Sequence, residues 1–295
     1  EKSFVGSFSG IFSKYVENSN YFLKTFSFSS STYHYDESLR YRSLSASYSI
    51  FKRNKNLRDN IKQALVFSLQ YVNREKNTFQ NLSPDYNVAS INYIFSNKGA
   101  LNYFTLSGKT EFSSKFGKIH FTTNYRHLTK SGSQISLRIF AGKFFWKNTT
   151  STFFDFALDR PTDYLFQYQY LGRSEQSGIY SQQFIFAEGG FKSKFIDPFS
   201  DDLMISINAG VGLWKWLEGY LDFGIIKNKS ETPRFLYDSG LRINILPDYL
   251  ELFFPIYNSN GFQLTDNSNP YSEKIRFLLT VQPKTLTKLF TRKWF

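Results

Sequence analysis

The chain has 295 residues, a formal net charge of +12, 34 Phe and 20 Tyr, and a mean hydropathy of −0.38. No stretch approaches the roughly 18 uninterrupted apolar residues that a membrane-spanning helix needs, and the lack of cysteine excludes disulfides, thiolate metal sites and Cys nucleophiles. A polar chain this rich in Phe and Tyr, with Ser and Asn between them, has the composition of a membrane β-barrel; a soluble β-sandwich or propeller is the competing reading.

Glu1 opens directly on an alternating segment without Met, so a mature or truncated product lacking its export signal is expected. Phe4, Phe8 and Phe12 oppose Ser3, Ser7 and Ser9, and Phe22, Phe26 and Phe28 oppose Thr25, Ser27 and Ser29. In Ser43-Leu44-Ser45-Ala46-Ser47-Tyr48-Ser49-Ile50 one face is four serines and the other is apolar. In a barrel the apolar face meets lipid and the small polar face lines the interior. The same period of two recurs at Leu65, Phe67, Leu69 and Tyr71, then at Ile91, Tyr93 and Phe95. It continues at Ile119, Phe121 and Tyr125, at Ile135, Leu137 and Ile139, and at Phe154, Phe156 and Leu158. Five further segments follow, over 203–213, 217–225, 235–245, 250–256 and 275–281.

Turn signals such as Asn97-Lys98-Gly99, Lys130-Ser131-Gly132 and Asn228-Lys229-Ser230 separate these runs. The prediction is an all-β fold: a transmembrane antiparallel β-barrel of about 14 strands, within a range of about 12 to 16, each about ten residues long. It spans residues 1–282, and residues 283–295 form a separate tail. The connections 73–85, 172–182 and 257–272 are rich in Ser, Asn, Gln and Tyr and read as surface loops that meet partners.

Lysines and arginines do not gather into a nucleic-acid surface, so no nucleic-acid partner is expected. Many lie between apolar segments: Lys52, Arg53 and Lys55; Arg74 and Lys76; Lys115 and Lys118; Lys227 and Lys229. These read as rims that meet phosphates of outer-membrane lipid or lipopolysaccharide, or as solvated turns. Aromatics at segment ends read as interfacial belts: Tyr33 and Tyr35, Phe144 to Trp146, Trp214 and Trp216, Phe253 and Phe254.

Strand parity assigns Lys109, Glu111, Arg126, Arg138, Asp155, Glu188, Lys192, Glu218, Asp222, Asp238, Arg242, Glu251 and Arg276 to the interior, with the alternation slipping near Gly189 and Gly190. Acids and bases are comparable in number. A lining of one sign would suggest an ion-selective pore; a balanced one suggests a lumenal charge network that fills a narrow or closed barrel.

Chemistry is scarce. The three histidines, His34, His120 and His127, form no HExxH and no zinc spacing, and there is no GxSxG, phosphate loop or GxGxxG. His120 with inward Ser, Thr or Asp is the nearest approach to a hydrolase constellation. No metal, no cofactor and no catalysis within this chain are expected.

The last residues, QPKTLTKLFTRKWF, alternate poorly as a strand. Wound as a helix, Leu286, Leu289, Phe290 and Trp294 form one apolar stripe, Pro283 suits the first turn, and basic residues cover the rest. That describes a short basic amphipathic helix on the periplasmic membrane face or on a partner. Ile275, Phe277, Leu279 and Val281 alternate better, so the barrel is expected to close near Val281.

LPDYLELFFPIYNSNGFQL (246–264) and YSEKIRFLLTVQPKTLTKLFTRKWF (271–295) resemble the carboxyl end of large Bacteroidota-type outer-membrane proteins that carry an N-terminal gluzincin, an aminopeptidase-like zinc metallopeptidase domain. The segments 44–50 and 57–72 look compatible with the same region. The resemblance implies the membrane-embedded part of such a protein in the bacterial outer membrane. The family's zinc motif has no matching position here, so no metal ligand or catalytic residue carries over. The expected function is a non-catalytic anchor, or a subunit of an outer-membrane complex with other outer-membrane or periplasmic proteins. A channel for small solutes is the alternative, and a barrel hydrolase a more distant one.

Overall fold

The computed structural model describes residues 4–17, 20–36, 39–52, 54, 59–77, 85–129, 133–168, 177–246, 249–265 and 270–279. Eight strands follow one another as a meander: β1 Phe4–Tyr15, β2 Tyr21–Asp36, β3 Leu39–Lys52, β4 Ile61–Asn77, β5 Asp85–Lys98, β6 Asn102–Phe112, β7 Phe116–Leu128 and β8 Gln134–Lys147. A long excursion then carries a 3-10 turn at Thr152–Phe154, the short strands β9 Phe156–Ala157 and β10 Phe199–Ser200, and a second 3-10 turn at Ile179–Gln182. The meander resumes against β8 with β11 Leu203–Gly212, β12 Leu217–Lys227, β13 Arg234–Leu246 and β14 Leu250–Asn258. The sheet is one antiparallel array of 14 strands. Its last two members, β15 Gly261–Phe262 and β16 Arg276–Leu279, share the outer edge of β14. A one-turn helix, α1 Tyr271–Lys274, precedes β16.

The meander follows from short links that let neighbours pair: 99–101, 129–133, 213–216 and 247–249 all lie at one end of the sheet, and antiparallel neighbours need no crossover. The long excursion and the 259–275 connection lie at the other end. Among the described residues β1 pairs with β2 alone, so the sheet is open at that edge.

The faces differ as the alternation predicts. In β12 Glu218, Tyr220, Asp222, Gly224 and Ile226 are buried, while Leu221, Phe223 and Ile225 are exposed. In β8 Arg138, Phe140 and Phe144 are buried, while Ile135, Leu137 and Ile139 are exposed. Charged and aromatic side chains therefore share the inner face, and large aliphatic ones are left exposed on the outer face.

The excursion explains the burial. Residues 148–168 and 177–202 fold back against the inner face as a plug. Tyr41 of β3 stacks on Phe166, Tyr86 of β5 meets Phe154, Phe140 and Phe144 of β8 meet Phe156, and Phe253 of β14 meets Phe184. One segment thus touches strands from β3 to β14, so the sheet wraps around it. Phe154, Phe156, Leu158, Phe191 and Phe195 are its apolar centre. The plug also reaches the far edge: the Phe184 amide donates to the Phe277 carbonyl at 2.6 Å, and Gln183 forms a parallel bridge with Phe277. β16 therefore lies between β14 and the plug.

Several expectations are corrected. Phe154, Phe156 and Leu158 do not form one outward-facing strand; they are buried in the plug, Phe154 on a 3-10 turn and Phe156 on the two-residue strand β9. Asp155, Glu188 and Lys192 are plug residues and not wall residues, which is why parity slips at Gly189 and Gly190. Lys118 and Arg74 do not stand at rims: both are buried. Tyr33, Phe144 and Phe253 are no belt either, since they pack inward. The long strands are longer than expected, up to 17 residues in β4. The described part of the 172–182 connection holds a 3-10 turn whose residues 177–180 are exposed, as a surface connection would be. Val281 and the tail residues Leu286, Leu289, Phe290 and Trp294 lie outside the described residues.

Gly189 is the tightest joint of the plug, because an added Cβ would lie 2.4 Å from the Leu158 Cα and 2.6 Å from its carbonyl oxygen. Gly189→Ala is therefore expected to cost about 1–3 kcal/mol, as overpacking does, and to make the excursion sensitive to protease. Gly219→Ala, whose Cβ would meet Leu213 at 3.7 Å, is expected to change urea midpoints little.

Candidate functional site

The plug is fastened to the wall by charge. Asp222 of β12 and Asp238 of β13 are register partners, side by side on the inner face. Like charges opposite one another destabilise a sheet unless a cation sits between them. Lys192 supplies it: its Nζ donates to the two Asp222 oxygens at 2.7 and 2.9 Å. Asp238 accepts from the backbone amides of Lys192 and Ser193, at 3.0 and 2.6 Å, and from the Ser193 hydroxyl at 2.8 Å. The rings of Phe184, Phe186 and Tyr220 lie 5.1–5.8 Å from the ammonium, a cation–π surround that replaces lost water.

The approach of the chain to this pair needs unusual backbone. Glu188 and Gly190 have φ of 42° and 70°. A Cβ on Gly190 would lie 2.7 Å from Asn208 Oδ1, so glycine is required there both by conformation and by space. Asn208 of β11 stitches the site together. Its Nδ2 donates to Asp222 and to the Gly189 carbonyl, each at 3.0 Å, and its Oδ1 accepts from Arg138 Nη1 at 3.0 Å. Arg138 Nη1 also donates to the Glu188 carbonyl at 2.5 Å.

A second centre lies near the long-loop end. Lys118 of β7 is buried, donates to the Phe154 carbonyl at 2.8 Å, and lies 4.5–5.2 Å from the rings of Tyr164, Phe156, Phe116 and Phe144. Glu111 of β6 accepts from the Tyr164 hydroxyl at 2.5 Å and pairs with Lys109 at 2.7 Å. Tyr86 of the neighbouring strand β5 donates to the Tyr164 carbonyl.

A third cluster lies near the short turns, where Arg242 of β13 pairs with Glu218 of β12 and, at 3.5 Å, with Glu251 of β14. Arg276 of β16 donates to the carbonyls of Gln182 and Gln183, which binds the plug to the last strand. Arg126 is on the same inner face but exposed, at the mouth beside Ser136.

Within the plug, Asp155 pairs with Lys147, and burial pushes its carboxyl up to about 6. Glu188 accepts from the Ala157 amide at 2.5 Å and from Thr162 at 2.8 Å. Burial raises its carboxyl to about 7, against the opposing pull of nearby Lys118.

Most residues assigned to the interior from sequence lie on the inner face or in the plug, in two plug–wall clusters around Lys192 and Lys118 and one cluster within the wall around Arg242. Lys118, Ser193, Asn208 and Tyr164 were missed. Only the breakdown of alternation after Phe154 marks the segment from which the plug contacts arise. His120 lies 3.8 Å from Glu111 and stacks on Phe140; His34 accepts from Arg40, and His127 pairs with Asn102. Among the described residues no three His, Asp or Glu side chains gather as metal ligands. No model of a known protein family matches the chain, and no curated protein matches it.

Two outcomes test this arrangement. Lys192→Met leaves two buried carboxylates without their cation and is expected to cost about 3–5 kcal/mol; adding Asp222→Asn should recover part of it, read as non-additivity in urea unfolding. Glu188 holds its proton to a higher pH in the folded state than a solvated Glu, so its contribution is full below about 4.5 and fades as pH rises through about 7. Protease nicking of the plug should increase over that range, and Glu188→Gln should flatten the dependence.

Proposed function

We propose that this chain is a bacterial outer-membrane β-barrel closed by its own plug, without catalytic chemistry, that serves as a membrane anchor or as a subunit of a larger outer-membrane complex. The observation that carries the reading is an outward apolar band. Ile139, Ile207 and Phe223 are register partners across β8, β11 and β12, and all three are exposed; Leu137 and Leu221 flank Ala209 in the next row. Such a band, set against a charged interior, is what lipid on the outside favours. Trp214 and Trp216, 70% and 51% exposed on a short turn with Lys215 between them, suit a headgroup interface.

On this reading the short turns face the periplasm and the plug enters from the outside. The plug favours a structural role over a wide pore, since it occupies the interior. The likeness of residues 246–264 and 271–295 to gluzincin-bearing outer-membrane proteins supports a role in holding a peptidase-like domain at the membrane. The basic tail, with Leu286, Leu289, Phe290 and Trp294 as its apolar stripe, is the candidate contact on the periplasmic side. Lipopolysaccharide and outer-membrane lipid are the expected surroundings.

Ile207→Arg tests the band. At a bilayer midplane it is expected to cost about 2–4 kcal/mol, against about 0.5 kcal/mol or less on a water-exposed surface; refolding into lipid vesicles and into a detergent-free buffer separates the two. Release of the protein from membranes by carbonate, or a stable large conductance in a planar bilayer, would overturn the reading.

A further inference from the structure

The plug does not fill the interior evenly. It is fastened to β11, β12 and β13 by the Lys192 cluster, but it leaves two cavities, one walled by β7, β8 and β11 to β14 and the other by β4 to β8. One, of about 250 Å³, lies toward the short turns beside Arg126, Ser136 and Arg242. The other, of about 500 Å³, lies toward the long-loop end beside Ser90, Ser107, Lys109 and Thr122. Asn124, Arg138 and Phe186 line both. Asn124 and Arg138 are register partners on β7 and β8, so the cavities meet at a neck on one inner wall. Arg126 is exposed at one mouth, and Gln167 and Tyr168 are exposed at the other. Hydroxyl and amide side chains line the route between, which suits water and hydrated solutes.

The neck is charged in one sense. The cations around it are mostly matched: Lys192 by Asp222, Arg242 by Glu218 and Glu251, Lys109 by Glu111. Arg138 differs. Its hydrogen bonds go to a carbonyl and an amide oxygen, and among the described residues no carboxylate lies within ion-pair distance of it. Glu188, which lines the larger cavity, has both carboxyl oxygens engaged by Ala157 and Thr162. A fixed cation without a contact counter-ion, walled by protein, concentrates anions locally.

We propose that the two cavities form one aqueous passage along β7 and β8, that it admits small hydrophilic anions in preference to cations, and that Arg138 sets this preference. The passage rests on the reading of residues 148–168 and 177–202 as a plug inside a wall of strands, and it does not depend on where that wall resides. A plugged barrel then leaks small anions while holding back larger solutes.

The chain contains no cysteine, so a single introduced thiol reports access at one place. Asn124→Cys, at the neck, and Ser230→Cys, on an exposed turn, are made in the full chain in detergent micelles. Each is treated with a sulfonate-bearing and with a quaternary-ammonium-bearing methanethiosulfonate, and mass spectrometry follows the rates. The anionic reagent should be favoured at Asn124→Cys by about tenfold over the ratio at Ser230→Cys. Arg138→Gln in the Asn124→Cys background should abolish the excess. Should Arg138→Gln fail to fold, raising salt from about 10 mM to about 1 M should do the same through screening. Modification of Ser230→Cys with none at Asn124→Cys would overturn the passage. Equal ratios at the two positions, or a cationic preference at the neck, would overturn the selection. Neither result bears on membrane residence, which the Ile207→Arg comparison decides.

Discussion

The hold of Lys192 on Asp222 and Asp238, by its ammonium on the first and its backbone amide on the second, is the contact on which the rest of the interior depends. Two carboxylates placed opposite each other on β12 and β13 make a wall that is unfavourable by itself. Burying them takes several kcal/mol per ion before any pairing is counted. The wall is therefore complete only with the plug in place, and the plug is ordered there only because the wall waits for a cation. Asn208 and Arg138 extend the dependence to β11 and β8 through hydrogen bonds that share oxygen and nitrogen atoms with the same centre.

The plug combines two kinds of attachment that do different work. Its apolar rings meet inward aromatics of the wall, and each large side chain buried this way contributes about 1.5–3 kcal/mol. Buried ion pairs come closer to breaking even against their desolvation. The rings thus supply most of the adhesion, and the charges decide where along the wall the plug stops. Lys118 and Lys192 show the two kinds joined: each ammonium has an oxygen partner and a surround of aromatic faces.

Most of the wall was legible from the sequence because its two faces meet different media, and a period of two follows directly. The same parity placed Glu111, Arg138, Glu218, Asp222, Asp238, Arg242, Glu251 and Arg276 inward, and they are inward. The plug was not legible, because it has no period. Phe154, Asp155 and Phe156 repeat the pattern of a strand where a 3-10 turn passes into the two-residue strand β9. Lys118 looked like a rim lysine because strand ends and rims share composition; only the rings of Tyr164 and Phe156, distant in sequence, make it an interior group. Tyr33, Phe144 and Phe253 were read as belts for the same reason. An aromatic near a strand end faces outward or toward the plug according to one residue of parity.

The open edge has a consequence of direction. Eight strands precede the plug, four follow it, and β15 and β16 share one further place on the edge of β14. In a strict up-and-down order the first and the last of these thirteen places point the same way. Joining β1 to β16 directly would thus make a parallel seam in an otherwise antiparallel wall, with slanted and weaker hydrogen bonds along that one line. An entirely antiparallel ring requires an odd number of additional strands between them. The seam, and not the plugged interior, is then where the wall has the weakest claim to a fixed shape, and where a strand from elsewhere would find matching polarity.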